Sequence, residues 1–176
     1  MKKESLTQKI VRLAIFLAMG VVLNIVESFI PIPIAIPGVK LGLANTMGLI
    51  VLYYYSPKEY FVLGGFRVFI VGLLRTGIGS TSFFMGLAGW LLSSIVTLII
   101  YMFHKSSIYG LSIISALFHQ VGQIIMISLF YSNPGMVLYL PILMVTGAIS
   151  GLLVAFVTTK ILLLLNKVFR IKPNNV

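Results

Sequence analysis

TSFFMGLAGWLLSSIVTLIIYMF, residues 81–103, is the stretch on which the fold class turns. It holds no charged residue over a length at which a helix crosses the ~30 Å hydrocarbon core of a bilayer, for which about 20 mostly apolar residues suffice. Working outward from it, five further stretches repeat the pattern on the same scale. Three precede it, at about 10–29, 41–55 and 60–77, and two follow, at 108–131 and 137–165. The second is short and the sixth long, which predicts tilt or a break in each. Loop chemistry separates them: the run Pro31, Pro33, Pro37, Gly38; then Ser56-Pro57-Lys58-Glu59; Gly77-Ile78-Gly79-Ser80; His104-Lys105-Ser106-Ser107; and Ser132-Asn133-Pro134-Gly135. The expected architecture is an all-α integral membrane bundle of six transmembrane helices, with residues 1–176 forming a single membrane domain.

Composition agrees. Hydrophobic residues make up 59% of the chain and charged residues 9%, with a mean hydropathy of +1.10. Soluble domains carry about 25% charge and 45–50% apolar residues, so there is too little polar surface here to cover a water-soluble globule. The formal charge of +10 does not point to nucleic acid, because the basic residues gather at the ends of apolar runs. Lys2 and Lys3 before the first run resemble the start of a signal peptide. That run continues into Asn24 and Glu27 without a small-residue cleavage site, so the first helix is expected to be retained. With the N-terminus inside, Lys2, Lys3, Lys9, Arg12, Lys58, Lys105, Lys160, Lys167, Arg170 and Lys172 collect on the cytoplasmic side, while Lys40 and Arg75 fall outside. This asymmetry predicts cytoplasmic N- and C-termini, and therefore an even number of spans, in a multi-pass membrane protein.

The absences exclude several chemistries. The chain has no cysteine and no aspartate, and its acids are Glu4, Glu27 and Glu59. No Gly-x-x-x-x-Gly-Lys phosphate loop is present, so ATP hydrolysis is not expected. Two histidines in different segments do not make a metal site. Neither belongs to a legible Ser-base-acid arrangement. No catalytic residue, metal or cofactor is expected.

What remains is a set of polar side chains inside apolar spans, where a charge near the bilayer centre costs upward of ~2.5 kcal/mol and usually faces a partner or a cavity. Arg67 lies within the third span and Glu27 near the outer end of the first. Asn45 sits close behind Lys40, and His119 and Gln123 share a face of the fifth span. Two readings follow. In one, Arg67 pairs with Glu27 and the amides hold helices together. In the other, Lys40, Arg67 and Arg75 supply positive charge to an outward-facing pocket for an anionic ligand. Residues 30–40 (IPIPIAIPGVK) cannot be helical; being apolar at membrane depth, they are expected to cap the outer mouth of the bundle. Small residues four apart (Ala14 with Ala18, Ala44 with Gly48, Gly147 with Gly151) allow close helix approach, within the bundle or onto another subunit.

At Glu27, at Pro37-Gly38-Val39-Lys40-Leu41-Gly42-Leu43-Ala44-Asn45, at Arg67, at Leu87-Ala88-Gly89 and at His119-Gln120-Val121-Gly122-Gln123, the chain resembles the bacterial membrane family called heptaprenyl diphosphate synthase component I, or the Gx transporter family. The resemblance covers about residues 10–160 and implies the bacterial cell membrane as the location. Trp90 departs from the pattern, which expects a second glycine after Gly89, and this bears on how close the helix contact there can be. The two family names imply different functions. Chain-elongating prenyl synthases hold Mg²⁺ and diphosphate with aspartate-rich motifs, and this chain has no aspartate, so the first name fits at most a non-catalytic accessory subunit. The second name is similar to the S components of energy-coupling-factor (ECF) transporters. Those are six-helix proteins that capture a vitamin-like ligand from outside and dock through an Ala-x-x-x-Ala surface onto a membrane coupling subunit driven by two ATPase subunits. Ala14-Ile15-Phe16-Leu17-Ala18 matches that surface.

The leading expectation is therefore a substrate-binding subunit of an ECF-type importer. Its pocket would be lined by Lys40, Asn45, Arg67, Arg75, His119 and Gln123, with Glu27 orienting a neighbour, and its ligand would be an anionic vitamin, a quinone precursor or an isoprenoid-like molecule. The rivals are an accessory subunit of a prenyl diphosphate synthase and a proton-coupled carrier working alone through Glu27 and His119.

Overall fold

A computed structural model describes residues 5–29, 42–103 and 107–169, and the described chain is helical with no strand. Its α-helices are α1 (Leu6–Glu27), α2 (Ala44–Tyr54), α3 (Pro57–Val71), α4 (Thr81–Phe103), α5 (Ile108–Phe130) and α6 (Leu140–Phe169). A π-turn at Gly72–Thr76 prolongs α3, and a 3-10 turn at Pro134–Tyr139 leads into α6. Four of these helices, α1, α4, α5 and α6 with its leading turn, are long and apolar enough to cross a membrane. The chain is a membrane protein.

Local chemistry sets the helix starts. Ser5 caps α1 through a capping box with Gln8, so the helix begins a turn earlier than its apolar run. Pro57 occupies the first turn of α3, where a missing N–H costs nothing. Ser107 Oγ accepts from the Gly110 amide at the start of α5.

Two lengths differ from a row of equal spans. Helix α2 has 11 residues, roughly 16 Å at 1.5 Å per residue, about half of the hydrocarbon thickness. It can be this short because it is enclosed: Ala44 and every residue from Thr46 to Tyr53 are buried, against α1, α3 and α6. Helix α6 runs 30 residues without a break, roughly 45 Å, so it is accommodated by tilt or overhang.

Glycines set the tightest packing. A Cβ at Gly122 of α5 would lie 2.6 Å from the Ala88 carbonyl oxygen of α4, and one at Gly151 of α6 would lie 2.7 Å from Ile113 Cα of α5. Gly48 and Gly147 likewise lie within the bundle, against Tyr60 and Gln120. Ser112 Oγ donates to the Gly151 carbonyl at 2.7 Å, tying α5 to α6. Trp90 does not loosen the α4–α5 contact, because its indole lies on the other side of α4, against Gly64 and Gly65 of α3 and 4.8 Å from the Phe61 ring centroid.

The distribution of polarity is inverted relative to a soluble protein. Ile15, Met19 and Val22 of α1, Phe66 and Phe69 of α3, Ile95 and Ile99 of α4, and Val145, Ile149 and Phe156 of α6 are exposed. Thr46, Ser93, Ser94, Thr97, Ser112, Ser115 and Thr158 are buried. Such a surface is stable only against hydrocarbon. The segment expected to cap the bundle, residues 30–40 with Lys40, lies outside the described residues.

Candidate functional site

Because successive helices reverse direction, the end of α1, the start of α2, the end of α3 and the start of α4 meet on one side of the bundle, beside the middle of α5. Between them lies a cavity of about 120 Å³ to which all six helices contribute. From α1 come Asn24 and Glu27; from α2, Ala44 and Asn45; from α3, Arg67; from the π-turn, Gly72 and Thr76; from α4, Ser82, Phe83 and Gly86; from α5, Ala116, His119, Gln120 and Gln123; from α6, Ser150. The volume is below the roughly 300–1,000 Å³ of drug-sized sites, and suits a small solute or the polar end of a larger one.

The backbone makes room for this chamber. Gly42, just ahead of α2, has φ +74, a conformation that favours glycine. A Cβ there would lie 3.0 Å from Ser150 Oγ. At Gly72 the α3 helix widens into a π-turn, a feature that recurs at functional sites. A Cβ at that position would meet the Phe83 ring at 2.6 Å. Nothing in the apolar pattern of 60–77 signalled the widening.

Arg67 and Glu27 are both buried, with 8% and 3% of their surfaces exposed, and the pairing considered from sequence is not what holds Arg67. Its Nη1 donates to the Ala44 carbonyl at 2.6 Å and its Nη2 to Asn45 Oδ1 at 2.8 Å. Glu27 Oε1 accepts from the Leu43 amide at 3.3 Å, which places a carboxylate at the N-terminus of α2, where the helix dipole favours it. No ion pair joins Arg67 to Glu27 among the described residues, although Glu27 is near enough for its charge to act on the guanidinium. Arg67 thus fastens α3 to the first turn of α2 and holds Asn45 in one orientation. Below it, a smaller polar pocket of about 20 Å³ reaches Trp90, Ser93, Ser94 and Ser115.

Asn45 apart, the amides of the cavity do not hold helices together either. Asn24, Gln120 and Gln123 face the cavity, and none makes a hydrogen bond within the described residues. Asn24 Oδ1 and Gln120 Oε1 are wholly buried without a partner. His119 lies where a Cβ on Gly89 would come within 2.8 Å of its ring, so that glycine leaves the space the imidazole occupies.

Of the residues singled out from sequence, Glu27, Asn45, Arg67, His119 and Gln123 line this one cavity. Arg75 does not: it sits on the π-turn with its side chain exposed, while its neighbour Thr76 faces inward. A widened turn redistributes side chains around the axis, and a regular helix drawn through 60–77 misses that. Lys40 lies outside the described residues. Asn24 and Gln120 were overlooked as lining residues. Gln120 is three residues from Gln123, and Asn24 three from Glu27, so helical spacing would have placed each beside a residue already chosen. Ser150 carried no such signal. Ala14 and Ala18 are exposed on the outer face of α1, whereas Ala44 with Gly48 and Gly147 with Gly151 are enclosed.

Comparison with known proteins gives one family. The family described as heptaprenyl diphosphate synthase component I matches residues 16–161. No curated protein and no solved structure matches the chain.

Proposed function

The chain belongs to the heptaprenyl diphosphate synthase component I family, and on that premise we propose that it is the solute-capturing membrane subunit of an importer of the S-component type. In this reading the six helices form one bundle in the bacterial cell membrane, the half-length α2 enclosed by its neighbours. Both termini face the cytoplasm, the cavity opens outward, and the chain catalyses no reaction. The supporting observation is the cavity. It draws polar side chains from all six helices, and three of its carboxamides have no partner within the described protein. Polar groups buried purely for packing would bond to one another. Arg67 braces the site, and His119 and the amides meet the solute.

Import needs energy that this chain does not carry, so a membrane coupling subunit and its ATPases complete the machine. The exposed Ala14 and Ala18, four apart on α1, let a partner helix approach closely. The test is co-purification with coupling and ATPase subunits, together with uptake by cells. Arg67→Ala should abolish uptake while the protein remains in the membrane. Wild-type uptake by that variant refutes the proposal.

The family's description supports a second reading, a non-catalytic accessory subunit of a prenyl diphosphate synthase. A chain without aspartate lacks the acidic motifs that hold Mg²⁺ and diphosphate in chain-elongating synthases. That reading requires the synthase's product length or activity to change when this chain is removed.

A further inference from the structure

We infer that the solute accepted by this cavity is an uncharged molecule with hydrogen-bond donors and acceptors side by side, such as a cyclic amide or imide, rather than a bare anion. The inference rests on the capture reading above and narrows its substrate class.

The ionic groups leave little attraction for an anion. Among the described lining residues the strong charges are one guanidinium and one carboxylate, Arg67 and Glu27. Arg67 already directs two of its donors to the Ala44 carbonyl and to Asn45. Arg75, which would have tipped the balance toward positive, is exposed away from the cavity.

The amides point the other way. Gln120 and Gln123 have 6% and 8% of their surfaces exposed, and Asn24 completes a wall of three carboxamides. None has a hydrogen-bond partner among the described residues, and the oxygens of Asn24 and Gln120 are fully buried. Each carboxamide offers an acceptor oxygen and a donor NH₂ group, and a buried polar group left unmet is destabilising. A bare anion supplies acceptors only, so it could satisfy the NH₂ ends but never the oxygens. A cyclic amide or imide presents a donor next to an acceptor, the pairing by which Asn and Gln side chains read the edge of adenine. Turning any of the three amides over exchanges its two ends and leaves this requirement unchanged. A chamber of about 120 Å³ also favours one small ring over an extended polyanion.

The experiment uses matched pairs of probes on the full chain in lipid nanodiscs: benzamide against benzoate, and nicotinamide against nicotinate. In each pair the ring is the same and a carboxamide, with its adjacent donor and acceptor, is replaced by a carboxylate. Trp90 is the chain's sole tryptophan and lines the pocket that Arg67 and Asn45 share with the cavity, so its emission reports binding. The neutral member of each pair should saturate the signal at a concentration tenfold or more below that of its anion, since a site built around unmet amides discriminates strongly against a ligand that cannot pair with them. Gln120→Met with Gln123→Met should erase that preference. The ligand-free thermal midpoint should hold or rise, because no bond within the protein is lost. Should the double variant fail to fold, Gln123→Met alone carries the test.

Anions binding as well as or better than their neutral partners overturn the inference, as does a preference that survives in the variant, or silence toward all four probes. If the anions win and Arg67→Ala removes their binding, solute capture stands and only its substrate class is wrong. If all four probes are silent and Arg67→Ala also leaves uptake unchanged, both fall.

Discussion

Adding one methyl group to Gly122 should do more damage than adding one to Gly89, although both glycines lie in the same α4–α5 contact. A Cβ at position 122 would lie 2.6 Å from the Ala88 carbonyl oxygen, 2.9 Å from its carbonyl carbon and 2.9 Å from Gly89 Cα. All three are backbone atoms in the middle of a 23-residue helix, so no rotamer change can relieve them. Restoring ordinary contact requires the helices to part by roughly 0.8 Å, which forfeits a quarter or more of the dispersion well for neighbouring atom pairs. Overpacking of this kind costs about 1–3 kcal/mol, and an unyielding backbone on both sides places Gly122→Ala in the upper half of that range. At roughly 2–4 °C per kcal/mol for a chain of this size, the midpoint should fall by about 4–12 °C. At Gly89 the new Cβ would instead meet the His119 ring, 2.8 Å from Cε1 and 3.0 Å from each nitrogen, and an imidazole can swing aside. Gly89→Ala should therefore cost below about 1 kcal/mol yet turn His119 out of place and weaken solute binding. Thermal unfolding in nanodiscs, followed by size exclusion, measures both midpoints. The reasoning is refuted if Gly122→Ala melts within about 1 °C of wild type, or if Gly89→Ala is the less stable of the two.

Three further outcomes follow from other parts of the molecule. At the start of α3, burial alone would raise the Glu59 carboxyl, but hydrogen bonds from Lys9 and Ser56 outweigh it and hold it below the usual carboxylate range. A depressed folded-state value stabilises above the unfolded pKa and is lost as pH falls through the folded one. Acidification below about pH 4.5 should thus cost the wild type an increment that Glu59→Gln lacks, no more than about 1 kcal/mol for so exposed a pair, read by thermal melts across pH. If the proposed importer role holds, replacing Ala14 and Ala18 with leucine should abolish co-purification with a coupling subunit while solute binding by the isolated chain stays unchanged; retained co-purification would exclude that face as the docking surface. Tyr54→Phe removes the 2.6 Å hydrogen bond from the phenol to Asn166 Oδ1 that ties α2 to α6, and should lower stability by about 0.5–1.5 kcal/mol, checked by the same melts.

Hydrocarbon as solvent and an all-helical chain were legible in residue order, because lipid imposes a length and a polarity on every segment it touches. Helix α4 begins at Thr81, directly after the Gly-Ser punctuation of the preceding loop. The convergence of Glu27, Asn45, Arg67, His119 and Gln123 was also anticipated, since a polar group at membrane depth has few places to go other than inward. Which atoms meet was a different matter. Whether Arg67 grips Glu27 or the first turn of α2 depends on distances of a few ångströms between segments forty residues apart. Hydropathy carries no information at that scale. The outward turn of Arg75 depends on a single widened helical turn, and the seating of Trp90 against Gly64 and Gly65 depends on which face of α4 meets α3. The short α2 is the plainest case: an 11-residue helix cannot serve as a span alone, and only enclosure by its neighbours lets it occupy the centre of the bundle. Periodicity and charge speak for one helix and its solvent, whereas cavities, crossings and hydrogen-bond partners belong to pairs of helices and arise only when they pack.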